Sequence, residues 1–141
     1  MSHLKSIFKT RQKENVRNER IKMRKHLNAD ALLNSVRNGF GNITDHRSGE
    51  LNTSLTDVLM SGYAVFSLKD PSLLAFDQRR QVYSHNLCTI YGIDHIPCDS
   101  TLRNILDDVE PNDLRPIFKD VFSKLQRGKA LEQFTYMDDC Y

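Results

Sequence analysis

Apolar residues recur with a helical period along much of the chain. Leu102, Ile105, Leu106 and Val109 stand at i, i+3, i+4 and i+7, a spacing that places side chains on one face of a helix. A longer stripe of the same kind follows, made of Leu114, Ile117, Phe118, Val121, Phe122 and Leu125. The pattern therefore predicts two amphipathic helices in this part of the chain.

The edges of both stripes carry residues that begin or end helices. Asp99 precedes the first stripe, and an aspartate at an N-cap accepts hydrogen bonds from amide groups one turn on. Pro111 begins the second stripe, where its missing N–H costs nothing. Gly128 is placed to end the second helix. The two helices are therefore predicted to begin at Asp99 and Pro111.

Two further helices are predicted closer to the N-terminus. One follows Asn28 and ends near Gly39 and Gly41; its inward residues are Ala31, Leu32 and Val36. After a polar loop over residues 40–53, Ser54 caps the next helix, with Asp57 three residues on, close to a capping box. The buried side of that helix is predicted to hold Leu55, Val58, Leu59, Tyr63 and Phe66. Gly62 lies within it at a cost of roughly 1 kcal/mol against alanine, and it would allow a close helix crossing.

Another helix, the third in chain order, is predicted to start at Asp70 and Pro71 and to continue to about Tyr91, with Gly92 ending it. Its inward residues are predicted to be Phe76, Tyr83, Leu87 and Ile90, and its outward residues Gln78, Arg79, Arg80 and Gln81.

Residues 134–141 look like the beginning of a β-strand. The predicted fold is all-α: a small multi-helix domain with a basic N-terminal arm and an incipient strand at the C-terminus. Its boundaries are predicted at residues 1–27 for the arm, 28–130 for the helical domain and 131–141 for the strand.

The net charge of +2 conceals a strong asymmetry. Residues 1–26 contain nine basic and two acidic residues, for a net charge of +7, whereas residues 27–141 carry −5. A basic arm on a mildly acidic body indicates a polyanionic partner for the arm. Alone, the arm is predicted to be a marginal helix or a solvated tail, because its apolar stripe is thin.

The helical region resembles part of a known family. The stretch IPCDSTLRNILDDVEPNDLRPIFKDVF, residues 96–122, is similar to the region just ahead of the catalytic core in bacterial insertion-sequence transposases of the DDE type. The segments DVLMSGYAVFSLKDPSLLAFDQRR and HNLCTIYGI fit the same pattern. The resemblance covers roughly residues 30–141 and consists of a shared order of helices, without an active-site signature.

In that family an RNase H-like catalytic domain follows this region, with its first catalytic aspartate on the first core strand. The resemblance therefore implies an N-terminal fragment involved in DNA transposition, truncated before the catalytic core and not itself an enzyme. No cofactor is expected in the fragment; a divalent metal such as Mg²⁺ is implied only for the full-length family. The pair Asp138 and Asp139 is assigned no catalytic role. The expected partner is double-stranded DNA, with a possible homo-oligomer.

The candidate DNA-binding residues form two groups. In a helix-turn-helix the second helix enters the major groove and reads bases from its first turns, which here would present Ser100, Thr101, Arg103 and Asn104. Two features oppose this: residues 92–98 make a long joint for that motif, and Asp107, Asp108 and Glu110 would repel phosphate. The arm would neutralise phosphates through Lys5, Lys9, Arg11, Lys13, Arg17, Arg20, Lys22, Arg24 and Lys25.

Two alternatives stay open. His85, Cys88, His95 and Cys98 are two histidines and two cysteines, a set that suits tetrahedral zinc, although the leading pair is not the usual Cys-x2-Cys. The chain could instead be a helical protein-interaction module with a solvated basic tail.

Three cysteines make no disulfide framework, and no run of about 18 apolar residues occurs. A cytoplasmic location without membrane association is therefore expected.

Overall fold

The computed structural model describes residues 10–13, 15, 26–48 and 51–134. These residues form five α-helices and one short 3₁₀ helix, in addition to helical residues at 10–13 and 15. The helices are α1 (Ala29–Gly41), α2 (Leu55–Ser67), α3 (Leu73–Tyr91), α4 (Asp99–Asp107) and α5 (Pro111–Arg127), and the 3₁₀ helix is Glu132–Phe134. The described part of the chain is all-α and contains no strand.

The strand predicted for residues 131–141 is wrong at Glu132–Phe134. Glu132–Phe134 turns as a 3₁₀ helix, closed by a hydrogen bond from the Phe134 N–H to the Leu131 carbonyl. A local i to i+3 bond of this kind uses the backbone groups that a strand would offer to a neighbour. Residues 135–141, which hold the rest of the predicted strand, lie outside the described residues.

The chain divides into two compact units. One is Leu33–Lys119; the other combines the described residues up to Leu32 with the described residues from Asp120 onward. In the second unit, α1 follows Asn28 as predicted, and Asn28 Oδ1 caps this helix by accepting a hydrogen bond from the Ala31 amide at 2.7 Å. Buried Leu27 lies so close to Gly128 that a Cβ there would overlap its side chain.

The core of the unit Leu33–Lys119 is built around α2. Val58, Met60, Ser61 and Ala64 on this helix have no exposed surface, a distribution typical of a helix surrounded by others. α2 packs against both α3 and α4, and those two helices also pack against each other. The result is a three-helix cluster in which α4 is held on two sides.

Predicted caps and a predicted crossing are confirmed in this unit. The Ser54 hydroxyl accepts a hydrogen bond from the Asp57 amide at 3.0 Å, and Gly92 ends α3 in the left-handed region, with φ of 64°. A Cβ built on Gly62 would lie 3.1 Å from Leu106 Cδ1, so α2 and α4 cross closely there. The start of α3 shifts from the predicted Asp70 and Pro71, because the Ser72 hydroxyl caps it through the Ala75 amide.

Three residues predicted to be buried are exposed. Phe66 is 82% exposed, Tyr83 53% and Ile90 59%. At Tyr83 the backbone leaves helical geometry, with φ of −121° and ψ of 28°. This turns the second half of α3, so that Leu87 and Tyr91 face the core. Phe66 lies in a run, residues 66–69, that is exposed throughout.

The predicted stripe on α5 is less buried than its period indicates. No described residue of α5 is fully buried, and Phe118 and Phe122 are 42% and 45% exposed. Phe118 nevertheless packs edge-to-face on Phe40 of α1 and stacks on Tyr63 of α2, with ring centroids 6.1 and 6.2 Å apart. Helical spacing identifies the inward face of α5 but not how deeply it is covered.

Candidate nucleic-acid interface

The helix α4 has one side anchored in the core and the other open to solvent. Leu102 has no exposed surface and lies between the predicted contact residues. Ser100, Thr101, Arg103 and Asn104 are all exposed. Their exposure agrees with the sequence prediction, and the first two turns of α4 therefore present hydroxyl, guanidinium and amide groups together.

The start of α4 differs from the prediction by one residue. Cys98, not Asp99, is the N-cap, with extended φ and ψ of −70° and 166°. Asp99 is the first helical residue, and its carboxylate accepts a hydrogen bond from the Ser100 amide at 2.7 Å. The nearby Asp99 backbone amide contributes slightly to lowering the pKa of Asp77 on α3.

Cys98 has an unusually acidic thiol. Its Sγ lies 3.5 Å from Ser100 Oγ and 3.1 Å from Thr101 Oγ1. Hydrogen bonds from Ser100 and from the Thr101 hydroxyl and amide stabilise the thiolate and lower the pKa of Cys98 to about 7. A substantial fraction of this side chain is therefore thiolate at neutral pH.

This pKa predicts the pH dependence of alkylation. Because only the thiolate reacts, iodoacetamide labelling of Cys98 is expected to reach half its maximal rate near pH 7. Replacing Ser100 with alanine removes a thiolate donor and should move that midpoint upward. Because no Lys or Arg lies between Cys88 and Cys98, chymotryptic cleavage after Tyr91 is used to place them on separate peptides, and mass spectrometry then quantifies Cys98 alone. A midpoint near the ordinary thiol value of about 8.5 in the unaltered chain would contradict the prediction.

The joint between α3 and α4 is held by Asp57 of α2. The Asp57 carboxylate accepts hydrogen bonds from the backbone amides of Asp94 and His95, both at 3.3 Å. Arg37 lies 3.5 Å from the same carboxylate and 3.7 Å from that of Asp94. The sequence indicates only a capping residue at Asp57, yet this nearly buried side chain anchors a loop almost forty residues away.

Arg79 and Arg80 of α3, predicted to face outward, are partly exposed and form ion pairs with carboxylates. Arg79 binds Asp70 in a bidentate manner at 2.7–3.1 Å, and Arg80 binds Asp77 at 2.7–2.9 Å. These bonds lower the pKa of Asp77, mainly through Arg80, and raise the pKa of Arg79, mainly through Asp70. Both arginines are half-buried, because ion pairing lets their stems lie along the protein surface.

An open cleft of about 560 Å³ lies between α3 and its neighbouring loops. Its lining is mainly polar: Asn52, Thr53, Arg80, Gln81, Ser84, Cys88, Asp94, His95 and Ile96. Cys88 and His95 of the zinc candidate line this cleft, whereas His85 is exposed and Cys98 caps α4. Among the described residues, no group of three or more His, Cys, Asp or Glu side chains is placed to hold a metal ion.

Most of the basic arm lies outside the described residues. Arg11 and Lys13 are exposed in the helical segment 10–13. The other seven candidate contacts lie outside the described residues: Lys5, Lys9, Arg17, Arg20, Lys22, Arg24 and Lys25. Asp138 and Asp139 also lie outside them. The described candidate contacts are therefore those of α4 in one unit and, separately, Arg11 and Lys13 in the other.

Comparisons with protein-family models, curated proteins and solved structures find no match. None of the helices in the described residues has the length and apolar character needed to span a membrane.

Proposed function

We propose that this chain binds double-stranded DNA, as the helical region that precedes the catalytic core in a DDE-type transposase. The observation that carries the proposal is the geometry of α4: four exposed polar residues on its first two turns, around a fully buried Leu102. A recognition helix needs this combination, since one side must be fixed to the domain while the other enters the groove.

The charges on α4 favour an approach with its N-terminal end foremost. Asp107, Asp108 and Glu110 are exposed at the far end and would repel phosphate. The N-terminal end carries the single carboxylate of Asp99, but it also carries Arg103 and the positive end of the helix dipole. The hydroxyl, amide and guanidinium groups there suit base edges and phosphates, while the basic arm supplies most of the electrostatic attraction.

The proposal assigns no catalytic step to this region. On the resemblance, cutting and joining of DNA belong to the RNase H-like core of the family and to its divalent metal. A cytoplasmic location, where Cys98 would stay reduced, is part of the same proposal.

Salt-dependent duplex binding tests the DNA proposal. Fluorescence anisotropy across a salt series is expected to show log K falling with log salt, with a slope of about −0.9 for each phosphate neutralised. A chain lacking residues 1–26 should lose most of that slope. Absence of binding to any duplex at low salt would contradict the proposal.

Arg103 tests the role of α4 separately. Arg103→Ala is expected to weaken binding by about 1–3 kcal/mol if the side chain contacts a base edge, or to reduce the salt slope by about one if it contacts a phosphate. Arg115→Ala on α5, also an exposed arginine, is the matched control and should bind like the unaltered chain. If Arg103→Ala and Arg115→Ala bind duplex DNA with equal affinity, the assignment of α4 to the DNA interface is wrong.

A second function is favoured by a different observation. Phe66 is 82% and Val82 71% exposed, so each of these large apolar side chains is open to contact with a protein partner. In that case the chain would be a helical interaction module and its arm a solvated tail. Folding without duplex binding at low salt would favour this function over the first.

A further inference from the structure

The exposed residues of α4 differ in their direction around the helix axis. The helix runs without interruption over Asp99–Asp107, so successive side chains are turned by about 100°. On that period the half-buried Ile105 and Leu106 lie within about 60° of fully buried Leu102. The burial of α4 therefore agrees with its helical period, and the same period orders the exposed side chains.

Ser100 and Asn104 form the outermost ridge of α4. Both lie about 20° from the direction opposite Leu102, and they are four residues apart, so their side chains are neighbours. Thr101 and Arg103 lie about 80° to either side of that direction, on the two flanks. When the buried side of a recognition helix faces its own domain, the ridge meets the base edges and the flanks meet the two sugar-phosphate strands.

The Asn104 amide is exposed and free in the fold. Within the described residues it makes no hydrogen bond. The Ser100 and Thr101 hydroxyls, in contrast, lie 3.5 and 3.1 Å from Cys98 Sγ. Asparagine is also a poorer helix former than alanine, and no contact within the described residues offsets that cost. Asn104 therefore adds nothing to the stability of α4, and its polar atoms are open to a ligand.

We propose that Asn104 is the residue with which α4 reads DNA sequence, and that it selects an adenine in the major groove. The proposal rests on the DNA-binding function proposed above. The amide of Asn104 offers a donor and an acceptor side by side, and adenine presents the matching pair, N7 and the N6 amino group. Guanine presents two acceptors at the same edge, so its O6 would oppose the amide oxygen.

The other exposed residues of α4 do not supply this selection. The hydroxyls of Ser100 and Thr101 can donate or accept, so they bond to base edges without discriminating between them. Arg103, on a flank, meets a phosphate of a bordering strand, where it adds affinity without reading sequence. Asp107 also lies on the outward side, but its carboxylate is repelled by phosphates and belongs to the end of α4 that stays away from the DNA.

Selection from a pool of randomised duplexes with the full chain identifies the preferred sequence. Fluorescence anisotropy then compares the selected duplex with duplexes in which each A·T pair is replaced in turn by G·C. For the unaltered chain, replacement at one adenine should weaken binding about fivefold or more, the lower end of the discrimination by a bidentate contact.

Three variants isolate the contribution of Asn104. Asn104→Ala should bind the selected duplex and the G·C duplex with equal affinity, and its circular dichroism should match that of the unaltered chain because the side chain is exposed. Arg103→Ala should weaken binding to all duplexes alike and keep the preference for adenine. Asn86→Ala changes an exposed asparagine on α3; it is the matched control and should keep both the affinity and the preference.

The outcomes distinguish this proposal from the function on which it rests. Duplex binding without a preferred sequence would overturn the selection of adenine and leave DNA binding standing. Full discrimination by Asn104→Ala, or sensitivity to this variant only at a base other than adenine, would overturn it in the same way. Absence of binding to any duplex at low salt would instead contradict DNA binding itself, and the selection of adenine with it.

Discussion

Leu102→Ala is expected to lower the free energy of unfolding by about 2–5 kcal/mol, the range for large-to-small changes in a packed core. Leu102 is the only fully buried side chain of α4 and lies where this helix packs against α2 and α3. Its truncation removes apolar contacts and leaves a cavity under the nine-residue helix. Urea denaturation followed by circular dichroism measures the change.

A control variant on the exposed side of α4 distinguishes the loss of the Leu102 anchor from a general effect of substitution in this helix. Asn104→Ala lies on the exposed side of the same helix and should change stability by less than about 0.5 kcal/mol. If DNA binding depends on α4, Leu102→Ala should weaken it under conditions where most of the protein remains folded. A loss of stability below about 1 kcal/mol, outside the range for a core leucine, would show that α4 is not anchored as described.

Asp57→Ala is expected to destabilise the chain by about 2–4 kcal/mol, since it leaves two backbone amides without an acceptor and each such loss costs about 1–3 kcal/mol. The amides belong to Asp94 and His95. The change also removes the partner of Arg37. Asp57→Asn retains one acceptor oxygen and should therefore lose less stability than Asp57→Ala.

Hydrogen exchange gives a local test of the same change. The Asp94 and His95 amides lie in residues that are exposed overall, yet their bonds to a buried carboxylate should slow their exchange. In Asp57→Ala both should exchange at close to the rate of an open loop. Asp108→Ala, at an exposed carboxylate, is the control and should leave both rates unchanged. Unaltered protection in Asp57→Ala would contradict the anchoring role.

Local sequence signals predicted the features that depend on neighbouring residues. Ser54 and Gly92 act within one helical turn, so their caps follow from residue type and position. The exposed side of α4 follows from its period, because Leu102 sets the inward direction. Gly62 is a partial case: glycine inside a helix suggests a close neighbour, but the identity of Leu106 as that neighbour required the structure.

Features that depend on distant residues could not be predicted in this way. Asp57 bonds to amides at positions 94 and 95, and no local pattern marks a carboxylate for that role. The kink at Tyr83 has no proline or glycine beside it, so the regular period placed Tyr83 and Ile90 inward. The acidity of Cys98 also depends on the one-residue shift in the start of α4, which the aspartate at position 99 concealed.

The crossing at Gly62 gives this position influence over a surface that it never touches. α2 and α4 meet where only hydrogen separates the Gly62 backbone from Leu106, so the rotation of α4 about its own axis is set at that point. A methyl group there would lie 3.1 Å from Leu106 Cδ1, so the Leu106 side chain or α4 itself would have to give by a few tenths of an ångström. A single substitution in the core could thus shift the side chains that α4 presents to solvent, without changing any of them.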